Sequence, residues 1–469
     1  MNKKKEKKSE SLHPFIILVT ILLVAAVVAY FIPSGAYERI VTSDGRTVVD
    51  PESYQVIPHS TFRFTELMTA IPRGIQESIN VVVITFMIGG AFGIIKETGM
   101  LNLGVQSLVK AFEKNKIAII FILIAIFVVI TGFIGVPELA LIYIPILMPL
   151  FFSLGFDSMV AIGISLTATA AGFSAAWSAP ATVGLGHQLS ELPMYSGMQL
   201  RIVTAILLAV SAAIYIAFYA RKILKDPESS LVYEQDQELR KKFANEMEDS
   251  DLEKYPRVRL AGIVTIILFI GLIFGVVINT WGFEEMSGYF IILGILPGLI
   301  AGMTLNETLD AFVEGLKDMI IGAFIIGIAR GISVVLNDAQ VMDTIIMYLA
   351  QAVVLLPSQI ASLGIFVVTT LFNAVIASGS GKAVIALPIM LPLADITEVS
   401  RQTTILAYQL GDGITNIVWP ASGYFMAALA IGNLSYKKWM KWFYPLLIIW
   451  LIIAALVVIG ANYIGYGPF

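Results

Sequence analysis

The sequence predicts an all-α polytopic membrane protein built from two inverted-topology repeats. Three observations carry that expectation. Hydrophobic residues make up 57% of the chain and charged residues 14%, with a mean hydropathy of +0.84, whereas soluble chains carry about a quarter charged residues. The apolar residues fall in blocks of about 18–25, the length that crosses ~30 Å of hydrocarbon at ~1.5 Å per residue. Short motifs also recur at a nearly constant offset between the two halves.

The first block, 12–33, follows the basic stretch MNKKKEKK. It is too long for a signal-peptide core, and no small-residue cleavage site follows it, so it is expected to stay as a span. Residues 34–65, with Asp44-Gly45 between β-prone stretches, predict a small outer β-hairpin insertion. Further spans are expected at 79–96, 199–220, 258–281, 288–304, 318–336 and 437–462, with more complex regions at 116–184 and 356–424. Lys and Arg cluster in 1–8, 96–116, 221–257 and 437–441 and are absent from 185–198, 282–287 and 337–357. The positive-inside rule then puts the N-terminus in the cytoplasm of a cell inner (cytoplasmic) membrane, with the bilayer as a constant partner. The charged run 221–257 predicts a solvated cytoplasmic linker.

The chain has no cysteine and only three scattered histidines, His13, His59 and His187. Disulfides, thiolate metal sites and thiol catalysis are therefore excluded, and no resident metal or cofactor is expected beyond a coupling sodium ion or proton. Nothing in the charge pattern points to nucleic acid.

The repeat is the strongest internal signal. IPILMPL at 144–150 matches LPIMLPL at 387–393, and Glu66, Ala70 and Gly74 match Glu307, Ala311 and Gly315. Pro180 of WSAPAT matches Pro420 of VWPAS, and all these pairs lie about 240 residues apart. FIIL at 15–18 matches FIIL at 290–293, farther apart because the outer hairpin is inserted. Crossings counted from a cytoplasmic N-terminus run outward at 12–33 and inward at 288–304, so the repeats are inverted. The expected division is a first repeat at 1–220 (hairpin 116–153, broken helix 157–184), a linker at 221–257 and a connecting span at 258–281. A second repeat follows at 288–469 (hairpin 356–394, broken helix 399–424).

Each hairpin has an irregular tip, Gly135-Val136-Pro137-Glu138 in the first and SGSGKA at 378–383 in the second. Glycine and proline interrupt the helical hydrogen bonds, and lipid replaces none of them, so such tips need protein or a water-filled cavity around them. The helices that follow also break, within 167–182 and 407–422. Their exposed amides and freed carbonyls suit anions and cations respectively. Substrate-binding candidates are Ser378, Gly379, Ser380, Gly381, Lys382, Asp412, Gly413, Thr415, Asn416 and Glu138. Ion-binding candidates are Ser174, Ser178, Thr182, Asn373 and Asp412. Ionisable residues at membrane depth are costly and usually functional. Lys382 suits a carboxylate; Asp412 suits a cation, a proton or a substrate ammonium, or caps a helix break. Glu138 and Lys382, at equivalent tips, also qualify as a mutually neutralising pair.

SGSGKAVIALPIMLPLAD and GDGITNIVWPASGYFMAALA resemble the YfcC-type branch of the DcuC-like C4-dicarboxylate carrier family, which is similar to some arginine/ornithine antiporters. The resemblance covers nearly the whole chain. It implies an ion- or exchange-driven carrier with a scaffold and a mobile transport domain, commonly a homodimer. By motif it also implies site residues at Ser378 to Lys382 and at Gly411, Asp412, Gly413, Thr415 and Asn416. The sodium/dicarboxylate branch has Ser-Asn-Thr at both tips, and GVPE at the first tip here departs from it.

The leading functional expectation is a secondary active transporter, symporter or exchanger, of a small carboxylate metabolite, either an amino acid or a C4-dicarboxylate. An intramembrane hydrolase is the alternative from another class, but no GxSxG elbow or HExxH accompanies the serines. A channel is the third, disfavoured by closed re-entrant tips.

Overall fold

The computed structural model describes residues 14–41, 47–58, 64–248, 255–278, 281–376 and 379–467. The first half holds α1 (Pro14–Phe31), β1 (Gly35–Ala36), β2 (Arg39–Val41), β3 (Thr47–Val49), β4 (Gln55–Val56), α2 (Phe64–Glu77), α3 (Ile79–Glu97) and α4 (Met100–Phe112). It continues with α5 (Ala118–Ile134), α6 (Ala140–Ser153), α7 (Ser158–Ser174), α8 (Leu185–Leu189) and α9 (Met198–Lys225). Two connectors, α10 (Tyr233–Glu248) and α11 (Val258–Ile278), lead to α12 (Phe283–Ala301), α13 (Leu305–Asp318), α14 (Ile320–Asp338) and α15 (Met342–Val354). The chain ends with α16 (Ser358–Phe372), α17 (Gly379–Ile396), α18 (Arg401–Thr415), α19 (Gly423–Ile431) and α20 (Tyr436–Tyr463).

The halves repeat element by element. α2 and α13 each have 14 residues, α3 and α14 each 19, α4 and α15 each 13, and α9 and α20 each 28. At 14 residues α2 and α13 are too short to span ~30 Å. Their exposed apolar residues, Phe64 and Met68 on one and Leu305, Leu309 and Val313 on the other, fit helices lying at the membrane boundary.

Those two helices are held by close backbone approach rather than by large side chains. On α3, Gly89 and Gly93 meet Ala311 and Gly315 of α13; on α14, Gly327 and Gly331 meet Ala70 and Gly74 of α2. A Cβ on Gly93 would stand 2.3 Å from the Ala311 carbonyl oxygen, and one on Gly74 2.3 Å from that of Gly327. Small residues four apart let helices approach where lipid gives apolar side chains no reason to associate. The motif pairs at 70/311 and 74/315 in the sequence are therefore packing positions.

The inversion follows from what surrounds the ends of α9. Near Lys225, Asp157 accepts hydrogen bonds from Tyr219 (2.8 Å) and Ser230 (2.6 Å), and Lys116 reaches the Leu154 carbonyl at 2.9 Å. The root of the α5–α6 hairpin therefore lies on that face. Near Met198, Arg401 donates to the Ser190 carbonyl (3.2 Å) and pairs with Asp395 (2.8 Å), while Gln402 donates to the Ser196 carbonyl (2.6 Å). The α16–α17 hairpin thus enters from the opposite face.

Of the two connecting regions, the insertion forms the expected small antiparallel β-structure and the linker departs from expectation. The outer insertion pairs β1 with β4 and β2 with β3, both antiparallel, and ends near Val56; Asp44-Gly45 lies outside the described residues. It docks on the α14–α15 turn through Tyr37 N–H to Asp343 (3.0 Å) and the Arg39–Asp343 ion pair (3.0 Å). The linker was expected to be solvated, yet Asp236 of α10 is fully buried. Its carboxylate accepts from the Ser158 amide (2.7 Å) and hydroxyl (2.6 Å) at the start of α7, and Arg240 bonds the Phe156 carbonyl. Free amides at a helix N-terminus attract a carboxylate, a partnership that charge patterning does not reveal.

Burial pushes the Asp236 carboxyl up to about 6, against the pull of its Ser158 hydrogen bonds. A folded value above the unfolded one stabilises the docked state fully below the unfolded pKa, and that contribution fades as pH rises through about 6. Amide-exchange protection of α10, corrected for intrinsic rates, should therefore be greater at pH 5 than at pH 7.5; weaker protection in acid would contradict this. For the glycine contacts, Gly74→Ala and Gly93→Ala should each lower stability by about 1–3 kcal/mol through overpacking. Gly104→Ala, with nothing within 4 Å of its added Cβ, should raise it by up to about 1 kcal/mol through helix propensity. Thermal unfolding of the purified variants reads both.

Candidate functional site

The two broken helices meet at equivalent points. α7 stops at Ser174 and resumes as a π-turn at Pro180–Gly184 and then α8; α18 stops at Thr415 and resumes as α19 at Gly423. A Cβ on Gly172 would meet the Val128 carbonyl oxygen at 2.7 Å, and one on Gly411 would meet that of Phe366 at 2.8 Å. Each break is thus pressed against the first arm of its own hairpin. Gly413 faces Ser174 across the middle, its added Cβ 2.4 Å from the serine oxygen. Ser174 and Gly413 stand at the same repeat offset as Gly172 and Gly411, so the pseudo-twofold axis runs through this crossing. The first tip leans on the first break: Gly135, at φ +70, packs on Ala179. Only a residue without a Cβ fits there comfortably.

Around the crossing the second repeat builds a buried polar cluster. Lys382 Nζ donates to Asp412 Oδ1 at 2.7 Å and to Asn373 Oδ1 at 3.0 Å. Asn373 Nδ2 faces the Asp412 carbonyl (2.9 Å), Thr415 Oγ1 (3.0 Å) and Asn416 Oδ1 (3.1 Å). Both members of the ion pair are fully excluded from solvent. The Tyr408 ring lies 5.7 Å from the ammonium, and its hydroxyl donates to the Gly379 carbonyl at 2.9 Å, tying the second tip to α18. Ion pairing, hydrogen bonds and a nearby aromatic face offset the desolvation of a lysine at membrane depth.

Among the described residues, several polar atoms here have no hydrogen-bond partner. Asp412 Oδ2 accepts nothing; a Cβ on Gly379 would lie 3.0 Å from it, 3.0 Å from the Phe173 ring and 3.3 Å from Thr182 Cγ2. Thr182 Oγ1, Ser422 Oγ, the Tyr424 hydroxyl and Gln409 Oε1 are likewise buried and unpaired. Gln409 spends its amide on the freed Phe173 carbonyl at 2.7 Å. Partly buried Glu138 stands within electrostatic reach of Asp412 and Tyr424. With Lys382 and Asp412 cancelling, Glu138 is the acidic group of the site that has no counter-cation among the described residues.

The alternative pairing of Glu138 with Lys382 is not made. Lys382 takes its counter-charge from Asp412 inside its own repeat, because that carboxylate projects from a helix packed directly on α17. Asn373, Lys382, Asp412, Thr415 and Asn416 come together as one network, with Gly379 and Gly413 giving the close approaches around it. Gly381 and Ser380 lie in the first turn of α17, and Ser378 lies outside the described residues. Ser174 and Ser178 donate to the Ala170 (2.6 Å) and Phe133 (2.8 Å) carbonyls, so both hydroxyls serve backbone. The residues missed in the sequence are Tyr408, Gln409 and Tyr424. Tyr408 and Gln409 sit four and three positions before Asp412, on the same face of α18, and that spacing was the available signal.

Comparison with known proteins bears on this arrangement. Residues 13–463 match the family described as DcuC, C4-dicarboxylate anaerobic carrier. An Escherichia coli (strain K12) protein named "Putative basic amino acid antiporter YfcC" is 30% identical over 492 residues, covering 96% of each chain. An uncharacterized protein of Haemophilus influenzae is 26% identical over 498 residues, covering 97% of this chain and 98% of its own. Among solved structures, the Alcanivorax borkumensis YdaH transporter is similar at TM-score 0.44 and 18% identity, over 97% of this chain and all of that one. Neisseria gonorrhoeae MtrF, from a class of antimetabolite efflux pumps, is similar at TM-score 0.42 and 17% identity, over 97% of this chain and 96% of its own.

The apolar helices, the repeat and the family match over residues 13–463 define a multi-pass membrane protein of transporter type. The chain belongs to the DcuC C4-dicarboxylate anaerobic carrier family.

The pairing of Lys382 with Asp412 makes a specific demand. Lys382→Met alone strands a buried carboxylate and should cost about 3–5 kcal/mol, whereas Lys382→Met with Asp412→Leu should recover most of that loss. Thermal unfolding of the single and double variants measures the recovery, and equal losses in both would deny the pair its role.

Proposed function

We propose that this protein exchanges amino acids with a basic side chain across the cytoplasmic membrane. The observation that carries the reading is the neutralisation of Lys382 by Asp412 at 2.7 Å, which leaves Glu138 as the acidic group without a counter-cation among the described residues and Asp412 Oδ2 as an unpaired acceptor. A dicarboxylate needs two positive features, and the one lysine of the site is already occupied. An ammonium or guanidinium group instead finds a carboxylate oxygen, a threonine hydroxyl and a tyrosine hydroxyl without partners. The name of the Escherichia coli relative supports the same substrate class.

The cycle we infer uses the repeat. Hairpins and broken helices (α5–α8, α16–α18) pack with α9 and α20, α1–α3 and α12–α14 pack among themselves, and α19 joins the two groups through its packing on α14. Motion of the first group against the second, with the crossing at its centre, alternates access because the two repeats exchange shapes. Asp412 Oδ2 and Thr182 Oγ1 offer hard oxygen ligands to a sodium ion, or Asp412 carries a proton, whenever substrate is absent. The face bearing α10, with Lys114, Lys116, Arg221, Lys222, Lys437 and Lys438 in or beside its loops, is the cytoplasmic one. The N-terminus is then cytoplasmic as well. Family membership supports a homodimer, which the mass of the detergent-purified protein would read.

Counterflow in proteoliposomes tests the substrate. Vesicles loaded with unlabelled arginine should accumulate labelled arginine and ornithine but not succinate or fumarate; uptake of the dicarboxylates alone would overturn the reading. Glu138→Gln should lower exchange of the basic amino acids at least about tenfold, equivalent to about 1.4 kcal/mol, with little change in thermal stability.

A further inference from the structure

A second buried charge stands close to the crossing but outside the cluster just described. Arg201, in the first turn of α9, is fully excluded from solvent. One terminal nitrogen, Nη1, reaches the Ala176 carbonyl in the α7 break at 3.5 Å, the limit of a hydrogen bond. The other two nitrogens, Nε and Nη2, have no partner at hydrogen-bond distance among the described residues, the Tyr466 phenol being the neighbour that interacts electrostatically with the guanidinium. Among the described residues no carboxylate lies within ion-pair distance of it.

Its surroundings are rich in donors and poor in negative charge. His187 Nδ1 accepts from the Tyr195 amide at 3.0 Å, and its Nε2 lies 3.3 Å from the Gln402 side-chain nitrogen. Gln402 Nε2 donates to the Ser196 carbonyl, and the Tyr466 phenol, beside Arg201, bonds the Gly197 carbonyl. A buried guanidinium is expensive to retain without a counter-charge. Were Arg201 only a cap for the carbonyls freed by the α7 break, its N–H groups would be spent on them. Two of its three nitrogens have no hydrogen-bond partner among the described residues, and Nε with Nη2 forms the edge that holds a carboxylate through two parallel bonds.

We propose that Arg201 binds the carboxylate of a zwitterionic substrate, as a subsite on the side of the break opposite Glu138 and Asp412. Ala176, which Arg201 touches, follows Ser174 by two residues, and Ser174 packs on Gly413 beside Asp412. The break of α7 thus has a guanidinium at Ala176 and, at its Ser174 contact with Gly413, the neighbouring Asp412 carboxylate. That polarity matches an amino acid with a basic side chain, its cationic end at Glu138 and Asp412 and its carboxylate at Arg201. The orientation rests on the proposed exchange of basic amino acids; the carboxylate site itself does not.

The experiment compares wild type, Arg201→Gln and Arg201→Lys, using arginine and ornithine, their decarboxylated amines agmatine and putrescine, and succinate. Thermal shift of the purified proteins reads binding, since a ligand of the folded state raises its stability, and counterflow reads transport. Wild type should prefer arginine to agmatine and ornithine to putrescine at least about tenfold. Arg201→Gln should lose that preference while retaining the amines within about threefold, and Arg201→Lys should fall between. An undiminished preference in both variants overturns the proposal, as does equal loss of amino acids and amines, which marks a structural arginine. If Arg201→Gln does not fold, Arg201→Lys alone decides, because a single ammonium in place of the two-pronged guanidinium should still narrow the preference. If wild type ignores the basic amino acids yet is stabilised by succinate, and Arg201→Lys abolishes that shift, the exchange reading falls and the carboxylate site stands.

Discussion

The structure depends on one constraint, that backbone interrupted at membrane depth must find its hydrogen bonds inside the protein. Four interruptions occur, two hairpin tips and two helix breaks, and each is answered by a neighbour. Gln409 takes the Phe173 carbonyl, Asn373 the Asp412 carbonyl, Ser178 the Phe133 carbonyl, and Tyr408 the Gly379 carbonyl. Three of these four bonds come from residues in or beside the second tip and break, the region that also carries the buried ion pair. Satisfying the backbone and assembling the site are therefore the same structural act.

This explains why the repeats are alike in shape and unlike in chemistry. Symmetry is needed where helices cross, and there it is close: Gly172 and Gly411 perform equivalent contacts, and Ser174 meets Gly413 on the axis. Symmetry in charge is not needed, because one lysine and its aspartate suffice to anchor one tip. The first tip, freed of that task, presents Glu138 to the shared space. An asymmetric charge on a symmetric scaffold gives the cavity a polarity that two identical tips would lack.

Much of this was legible in the sequence. Span positions, the repeat offset and the hairpins followed from apolar block length and from glycine and proline placement, because lipid permits so few backbone solutions. Asn373, Lys382, Asp412, Thr415 and Asn416 were legible as polar residues at breaks. Their partners were not: pairing of Lys382 with Asp412 rather than Glu138 depends on which helix face packs on α17, and sequence offset alone favours the symmetric choice. Asp236 was hidden for a related reason. A charged residue in a charged run looks solvated unless the helix terminus it will meet is known. Short boundary helices such as α2 and α13 were seen only as repeated Glu, Ala and Gly positions, since 14 residues of mixed polarity carry no span signal.

The docking of α10 has a consequence for movement. A slack tether would let the halves shift independently, but this segment is a rod fastened by Asp236 to the start of α7 and by Lys438, at 3.0 Å from Gln235, to the start of α20. One rod therefore grips a helix from each repeat at the same membrane face. It acts as a yoke: the start of α7 and the start of α20 are tied to one element at one face, so in the cycle proposed above the two repeats would keep step there with no contact at the crossing itself.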